Sequence, residues 1–272
     1  MERLRLVSYN ILEGLRPTAP DRNEAASIDR ERALAAIAVV DELEPDILVL
    51  NEALYCREYE GKTVAYARLF GFPHEAAALY DAEWGNATLS RFPILKVDEM
   101  KTHERGGLIA VIDTPQGLLT VASYHPHPAR SSLDKASDFE RLIAGITGPA
   151  VVCGDFNCIS PEDAIDCRRM IEGFRRFSSE PEATLDQFIQ GGRAVFGVLN
   201  GFGLKDALPL EGRRYSIPTD LLSLDKSSAM RIDHVLSSDG VGIISGEVVH
   251  SPASNRASDH HPVMVEFRLT PA

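Results

Sequence analysis

The sequence predicts an α/β fold of mixed, largely antiparallel β-sheets flanked by helices, in one domain over residues 1–272. Three observations carry this expectation. The chain opens on a strand–helix–strand unit, continues through hairpin-linked alternating segments, and closes on a run of strands. Length alone permits one large domain or two small ones, but no internal repeat or low-complexity linker divides the chain.

The first strand is read over Arg5–Tyr9, followed by a helix near Asp29–Glu44 with Leu34, Ile37, Ala38 and Leu43 at roughly helical spacing, stopped by Pro45. Asp46–Leu50 is almost wholly apolar, as expected of a strand covered on both faces, and delivers Asn51 and Glu52 at its far end. A second helix is expected over Tyr55–Leu69. Asn86–Ser90, Ile94–Met100, Leu108–Asp113 and Leu118–Tyr124 read as strands, with a turn at Thr114–Gly117. A helix over Ser131–Ala144 leads into a buried strand at Ala150–Cys153, then helical stretches around Pro161–Phe177 and Pro181–Ile189. Strands Ile232–Leu236, Ile243–Val249 and Val263–Leu269 finish the chain.

Composition narrows the functional classes. At 44% hydrophobic and 25% charged residues the chain is ordinary globular material. Forty acidic against 28 basic residues give a formal charge of −12, which disfavours tight nonspecific binding to duplex DNA. A carboxylate-lined site can still act on phosphate esters, because a bound divalent cation dominates the local field. No signal-peptide pattern or membrane-span-length run is read, so a cytoplasmic protein is expected. Cys56, Cys153, Cys158 and Cys167 lack paired spacing and are expected to be reduced thiols, with Cys153 a small core residue.

Polar residues recur at strand ends along the whole chain, each read as following an apolar run: Asn10, Glu52, His125, Asp155 with Asn157, Asp233, and Asp259 with His260. Packed into one sheet system, these strand ends reach a common rim. Taken singly, Glu52 is as well explained as a helix cap, Asn10 as a turn residue, and Asp155 as an Asx turn. Asp155 and Asn157 are two apart, so both face one side while Phe156 packs away.

The segments Ser8-Tyr9-Asn10, Leu50-Asn51-Glu52, Ser123-Tyr124-His125, Gly154-Asp155-Phe156-Asn157, Arg231-Ile232-Asp233-His234 and Ser258-Asp259-His260-His261-Pro262, in that order, resemble the endonuclease/exonuclease/phosphatase superfamily. The resemblance implies the DNase I-like fold, a four-layer α/β sandwich of two packed sheets, and a Mg²⁺-dependent phosphoesterase in which Mn²⁺ can substitute. It implies Glu52 as the principal metal ligand, assisted by Asn10 and Asp259, hard oxygen donors that suit a hard ion. Asp155 would orient or deprotonate the attacking water, with Asn157 bonding the water or a developing oxyanion. His260 would contact the scissile phosphate with its tautomer fixed by Asp233, and His125 would press from the other side. The substrate is a phosphate ester, either short or single-stranded nucleic acid or a small molecule. A catalytically silent interaction domain is the alternative.

The chain departs from the family pattern at Pro126-His127-Pro128, which stiffens the loop after His125. A zinc pairing of His125 with His127 lacks supporting cysteines or an HExxH spacing. His127, Arg91 and Arg105 are candidate substrate contacts, the arginines as clamps on a phosphate oxygen. His74, His103 and His250 are expected to be packing or surface residues, His234 and His261 to point away from the site, and the region of Asp225 and Lys226 to form a loop over the rim.

Overall fold

The computed structural model of the chain describes residues 3–18, 27–59, 61–80, 84–102, 105–221 and 226–270; His103, Glu104 and Asp225 therefore lie outside the described residues. Strand β1 (Leu4–Asn10) runs into a short turn of helix, α1 (Leu12–Leu15), before helix α2 (Arg30–Leu43) and strand β2 (Ile47–Leu54). The Asp29 carboxylate caps α2 by accepting the Glu31 and Arg32 N–H groups, and a left-handed Glu44 ends it ahead of Pro45.

The helix expected over Tyr55–Leu69 is absent. In its place are a hairpin of β3 (Glu58–Tyr59) and β4 (Lys62–Thr63) and a short helix, α3 (Tyr66–Phe70). Gly61, at φ +73°, turns the chain where a helix would have to continue. Strand β5 (His74–Tyr80), unforeseen because its alanine-rich run lacks β-branched residues, pairs antiparallel with β6 (Trp84–Ser90).

A meander follows: β7 (Ile94–Lys101), β8 (Gly106–Thr114) and β9 (Gly117–Tyr124). Helix α4 (Ser132–Ile143) then returns the chain to β10 (Ala150–Asp155). Helix α5 (Cys167–Phe174) is shorter than the expected Pro161–Phe177, starting where the Asp166 carboxylate accepts the Arg169 N–H. Helix α6 (Pro181–Gly201) runs well past Ile189. Gly192 does not end it but lets it press on the chain below, since a Cβ there would sit 1.7 Å from the Ile159 carbonyl oxygen. Strands β11 (Lys205–Asp206), β12 (Asp233–Ser237), β13 (Val241–Val248), helix α7 (Ser254–Ala257) and strand β14 (Val263–Leu269) complete the order.

The strands form two six-stranded sheets, β13-β14-β1-β2-β6-β5 and β11-β12-β10-β9-β8-β7. Each has one parallel pair near its centre, β1 with β2 and β9 with β10, and is otherwise antiparallel. Side-chain alternation explains how they stack. Leu48 and Leu50 join Val39 and Val40 of α2, whereas Ile47 and Val49 face Val121, Val151 and Phe267 between the sheets. The outer face of the second sheet packs Tyr124 and Leu236 against Phe139 of α4 and Phe196 and Leu199 of α6. The result is the expected four layers, helix–sheet–sheet–helix.

None of the four cysteines is in a disulfide. Cys153 is a buried strand residue whose thiol burial pushes up to about 12, which leaves it inert at neutral pH. Among the described residues no helix is long and apolar enough to cross a membrane.

Candidate active site

The two parallel pairs point their C-terminal ends at the same rim. Asn10 ends β1 directly opposite Asn51 of β2, and Asp155 ends β10 beside His125, the residue after β9. Because β12 runs antiparallel, Asp233 is brought opposite Asp155 at the start of that strand. Asp259 and His260 likewise precede β14, whose Val263 pairs with Ser8. The expectation that every site residue follows its apolar run thus holds for the parallel strands and reverses for the antiparallel ones.

Two backbone irregularities aim the side chains. A register shift in the β2–β6 ladder between Leu50 and Ala53 frees Glu52, which adopts a left-handed φ of +57°. A bulge of this kind re-aims a side chain that the regular pleat would send elsewhere. Gly154, at φ +140°, lies so close to β9 that a Cβ would meet the Tyr124 carbonyl oxygen at 2.4 Å. That approach sets Asp155 beside His125.

Asp155 is the hub. Its Oδ2 accepts from Asn10 Nδ2 at 3.2 Å and lies 3.4 Å from His125 Nε2 and 3.8 Å from His260 Nε2. Its Oδ1 accepts the Asn157 N–H at 2.9 Å, and its own N–H donates to Asn51 Oδ1 at 2.9 Å. His260 Nδ1 meets Asp233 Oδ2 at 2.7 Å, which directs Nε2 toward Asp155 and Asp259. Glu52 accepts the Glu13 N–H at 2.7 Å and the Asn10 amide at 3.4 Å, with Oε1 3.9 Å from His125 Nε2. The Asn157 amide donates to the Pro126 carbonyl at 3.0 Å, so the departure at Pro126 becomes part of the site's frame.

Burial and charge separate the roles these groups can take. Burial first, and then the negative charge of Asp233, push Asp155 up to about 7. Burial and Asp259 likewise raise Glu52 above the usual carboxylate range. Burial and the positive charge of Arg105 hold His125 well below its ordinary value. Burial also opposes a charged His260, but Asp233, Asp259 and Asp155 together outweigh it and hold the imidazole well above its ordinary value. The rim therefore presents a neutral histidine, a cationic histidine and a carboxylate poised near neutrality.

The remaining predicted residues divide. Arg105 stands near His125, its guanidinium 4.7 Å from the Trp84 ring centroid. His127 turns back on its own loop, where Nδ1 accepts the Ala129 N–H at 3.2 Å. Arg91 is a correction. It follows Ser90, the partner of Ile47 at the opposite end of β2 from Glu52, bonds the Pro45 carbonyl at 3.0 Å and covers the Phe72 ring. At ~3.3 Å per residue it is roughly 16 Å along the strand from the rim, too far to clamp a phosphate there. His234 points away as expected, between Phe156 and Phe196, with Nε2 on the Cys158 carbonyl. His261 stacks on His250, and Lys226 begins a short 3₁₀ turn.

Several residues that support the site are given no role by the sequence alone, although Asn51 and Ser258 stand within the segments quoted for the resemblance. The Asn51 side chain holds Asp155 by its backbone and ties Asn86 and Ser123 across both sheets. Ser258 donates to the Asn10 carbonyl at 2.7 Å, and Ser216 accepts the Ile232 and Asp233 N–H groups. Arg32, buried on α2, donates to the carbonyls of Ala257, Arg16, Ile11 and Leu12. Lys135 of α4 donates to those of Asn157 and Pro128. The available sequence signal was an arginine and a lysine on faces otherwise lined by Ala33, Ala36 and Val40, or by Phe139 and Leu142.

Residues 7–260 match the model of the endonuclease/exonuclease/phosphatase family. The chain belongs to that family. Solved structures agree on the fold. An endonuclease/exonuclease/phosphatase from Beutenbergia cavernae superposes with a TM-score of 0.70 at 21% identity, covering 100% of this chain and 73% of the other. An AP endonuclease from Archaeoglobus fulgidus gives 0.69 at 16% identity over 96% and 98%, and a humanized D. rerio TDP2 gives 0.59 at 14% over 98% and 99%. No curated protein matches in sequence.

Endonuclease/exonuclease/phosphatase proteins are metal-dependent phosphoesterases as a family, and the donor set here fits a cation. Burial and the negative charge of Asp259 raise the cost of ionising Glu52, a cost a divalent ion relieves. Asp155, Asp233 and His260 also bring ligand atoms within 4.8 Å of one another. In that group, however, the 2.7 Å contact between His260 and Asp233 holds a proton that a metal would have to displace. Asn10 turns its NH₂ to the carboxylates while its Oδ1 accepts the Leu12 N–H, so ligation through oxygen requires the amide to turn over.

Proposed function

We propose that this chain, acting as a single catalytic unit over residues 1–272, hydrolyses a phosphate ester with the help of Mg²⁺, for which Mn²⁺ can substitute. Glu52 and Asp259, with Asn10 after rotation of its amide, would hold the ion. When bound, the ion polarises a nonbridging phosphoryl oxygen and offsets charge that builds in the transition state.

The observation that carries the reading is the convergence on Asp155 of an amide from one sheet and imidazoles from both sides of the rim. A carboxylate raised to about 7 is matched to take a proton from water near neutral pH, and the Asn157 N–H fixes the oxygen that does not take it. His260, cationic against Asp233, donates from Nε2 to the phosphoryl group. His125, kept neutral, offers a hydrogen bond there without adding charge. The reaction is in-line attack of water on phosphorus, with cleavage of the bond to the ester oxygen. A net charge of −12 supports a small molecule or a short single strand over tight duplex binding, and cytoplasmic action is part of the same reading.

The test is hydrolysis of bis-p-nitrophenyl phosphate and a panel of nucleotides and oligonucleotides with Mg²⁺, with and without EDTA. Asp155→Asn and His260→Gln should each lower turnover about 10²–10⁴-fold, with the melting temperature of Asp155→Asn at or above the parent's and that of His260→Gln below it, because the buried Asp233 loses its partner. Metal-dependent hydrolysis by either variant at near the parent rate would overturn the assignment.

A further inference from the structure

The cleft over the catalytic residues is a cavity of about 350 Å³, and its far wall is apolar: Phe174, Phe177, Phe188, Ile217, Pro218 and Met230. No lysine or arginine lines it among the described residues. The three phenylalanines form one cluster, Phe174 and Phe177 edge to face at 5.3 Å and Phe174 and Phe188 tilted at 6.2 Å. Phe174 is fully buried, whereas Phe177 stands 58% exposed at the mouth. These rings come from α5, α6 and the link between them, the excursion that the chain inserts between β10 and β12.

Nearby arginines do not compensate. Arg213 and Arg231, with Arg169, Arg214 and Lys226, line instead a separate cavity of about 660 Å³ that shares the Met230 wall. Arg231 is held by Asp163 and Asp206 at 2.7 and 2.6 Å, and Arg213 by Glu162 at 2.9 Å. A polynucleotide in the catalytic cleft would therefore meet no lysine or arginine along its backbone there, and a nucleobase would find Ser228 as the one polar side chain beyond the catalytic set among the described residues. An apolar ring would instead replace water over the exposed Phe177 and the half-buried Phe188, which Phe174 backs from within, and the volume suits one small organic group beside a phosphate.

We infer that the substrate is a small phosphate ester whose organic group is an apolar ring, seated against Phe177, Phe174 and Phe188 while the phosphate lies on the catalytic rim. The inference rests on the phosphoesterase reading above. Phe177 is then a specificity residue, open in the free protein and covered by the ligand.

The experiment compares benzyl, ethyl and ribose 5-phosphate esters, chosen because all leave as alcohols, each as monoester and methyl diester, together with a single-stranded oligonucleotide. Expected is a kcat/KM at least about 10-fold higher for the benzyl ester than for the ethyl ester, the scale at which apolar pockets discriminate. Calorimetry with the full chain and Mg²⁺ should show non-hydrolysable benzylphosphonate binding about 10-fold tighter than ethylphosphonate. Phe177→Ala should bring both ratios to within about threefold and Phe177→Leu should restore part of each. Hydrolysis without preference for the benzyl ester, a preference for ribose phosphate or oligonucleotide, or ratios unmoved by Phe177→Ala would overturn the inference and leave the phosphoesterase reading standing. Hydrolysis of none of the esters, by a chain that is folded and metal-loaded, would overturn both.

Discussion

Replacing Arg32 with methionine tests whether the end of the candidate site that carries Asn10 and Asp259, the proposed metal ligands, is held in place from beneath. Its guanidinium donates at 2.9 Å to the Ala257 carbonyl, two residues before Asp259, and at 2.9 and 3.1 Å to those of Ile11 and Leu12, just after Asn10. Methionine keeps most of the volume and removes every donor. The Ile11 carbonyl retains the Leu15 N–H at 3.1 Å, so Ala257, Leu12 and the half-buried Arg16 are the acceptors that lose their donor. Each such group costs about 1–3 kcal/mol when buried, partly offset because a guanidinium need no longer be desolvated. A net loss of about 3 kcal/mol corresponds to a Tm about 6 °C lower for a chain of this size. Activity should fall further than stability. At a temperature where both proteins are folded, the variant should need more Mg²⁺ for half-maximal hydrolysis, because the segments bearing Asn10 and Asp259 are no longer tied together. An unchanged Tm by calorimetry, or a lowered Tm with an unchanged Mg²⁺ requirement, would refute the reasoning.

Lys135→Met removes a buried ammonium that donates to the Asn157 carbonyl at 2.8 Å, and kcat should drop about 10-fold with a small change in Tm; an unaltered kcat would show that Asn157 keeps its left-handed backbone unaided. His234 is held neutral by burial and then by Arg231, its value lowered from 6.5 to about 4. Between those values the unfolded chain binds a proton that the native one refuses, so this group's contribution of about 3 kcal/mol is present at pH 7 and is lost as the pH falls from 6.5 to about 4. Urea unfolding of the parent and of His234→Phe at pH 7 and 4.5 isolates it from Asp155, whose raised value acts in the opposite direction; identical pH dependence in the two would contradict it. Saturating Mg²⁺ should raise Tm, by about 5 °C at 100 times its Kd, and Glu52→Ala should abolish the rise. A rise that survives in Glu52→Ala would place the ion elsewhere.

The expected strands and the four layers were legible because apolar runs such as Ile47–Leu50 have only one way to be covered on both faces. The site was legible as a set of residue types in order, and the structure brings Asn10, Glu52, His125, Asp155, Asn157, Asp233, Asp259 and His260 to one rim. What was not legible depended on tertiary context. The helical stretch read to Ile189 runs on through Gly191 and Gly192, where α6 touches the Cys158–Ile159 segment. The alanines of β5 carry little strand preference and are held by β6. Arg91 sits in a motif-like segment but leaves its strand at the wrong end, a fact fixed by strand direction and not by residue type. Arg32 and Lys135 were hidden because a helical pattern marks a face as buried without saying which buried carbonyls need a donor.

Strand β1 sits between β14 and β2, so the segment that carries Asn10 is flanked by one neighbour made early in synthesis and one made more than 200 residues later. Asn10 and Glu52 leave the ribosome long before Asp259 and His260, and the gap beside β1 stays open until β14 arrives. An incomplete chain thus has a half-built sheet and half a cleft. The convergence on Asp155 is withheld until the last strand closes the first, so on the reading proposed above a nascent or prematurely ended product, lacking His260, would have no means of attacking phosphate esters in its surroundings.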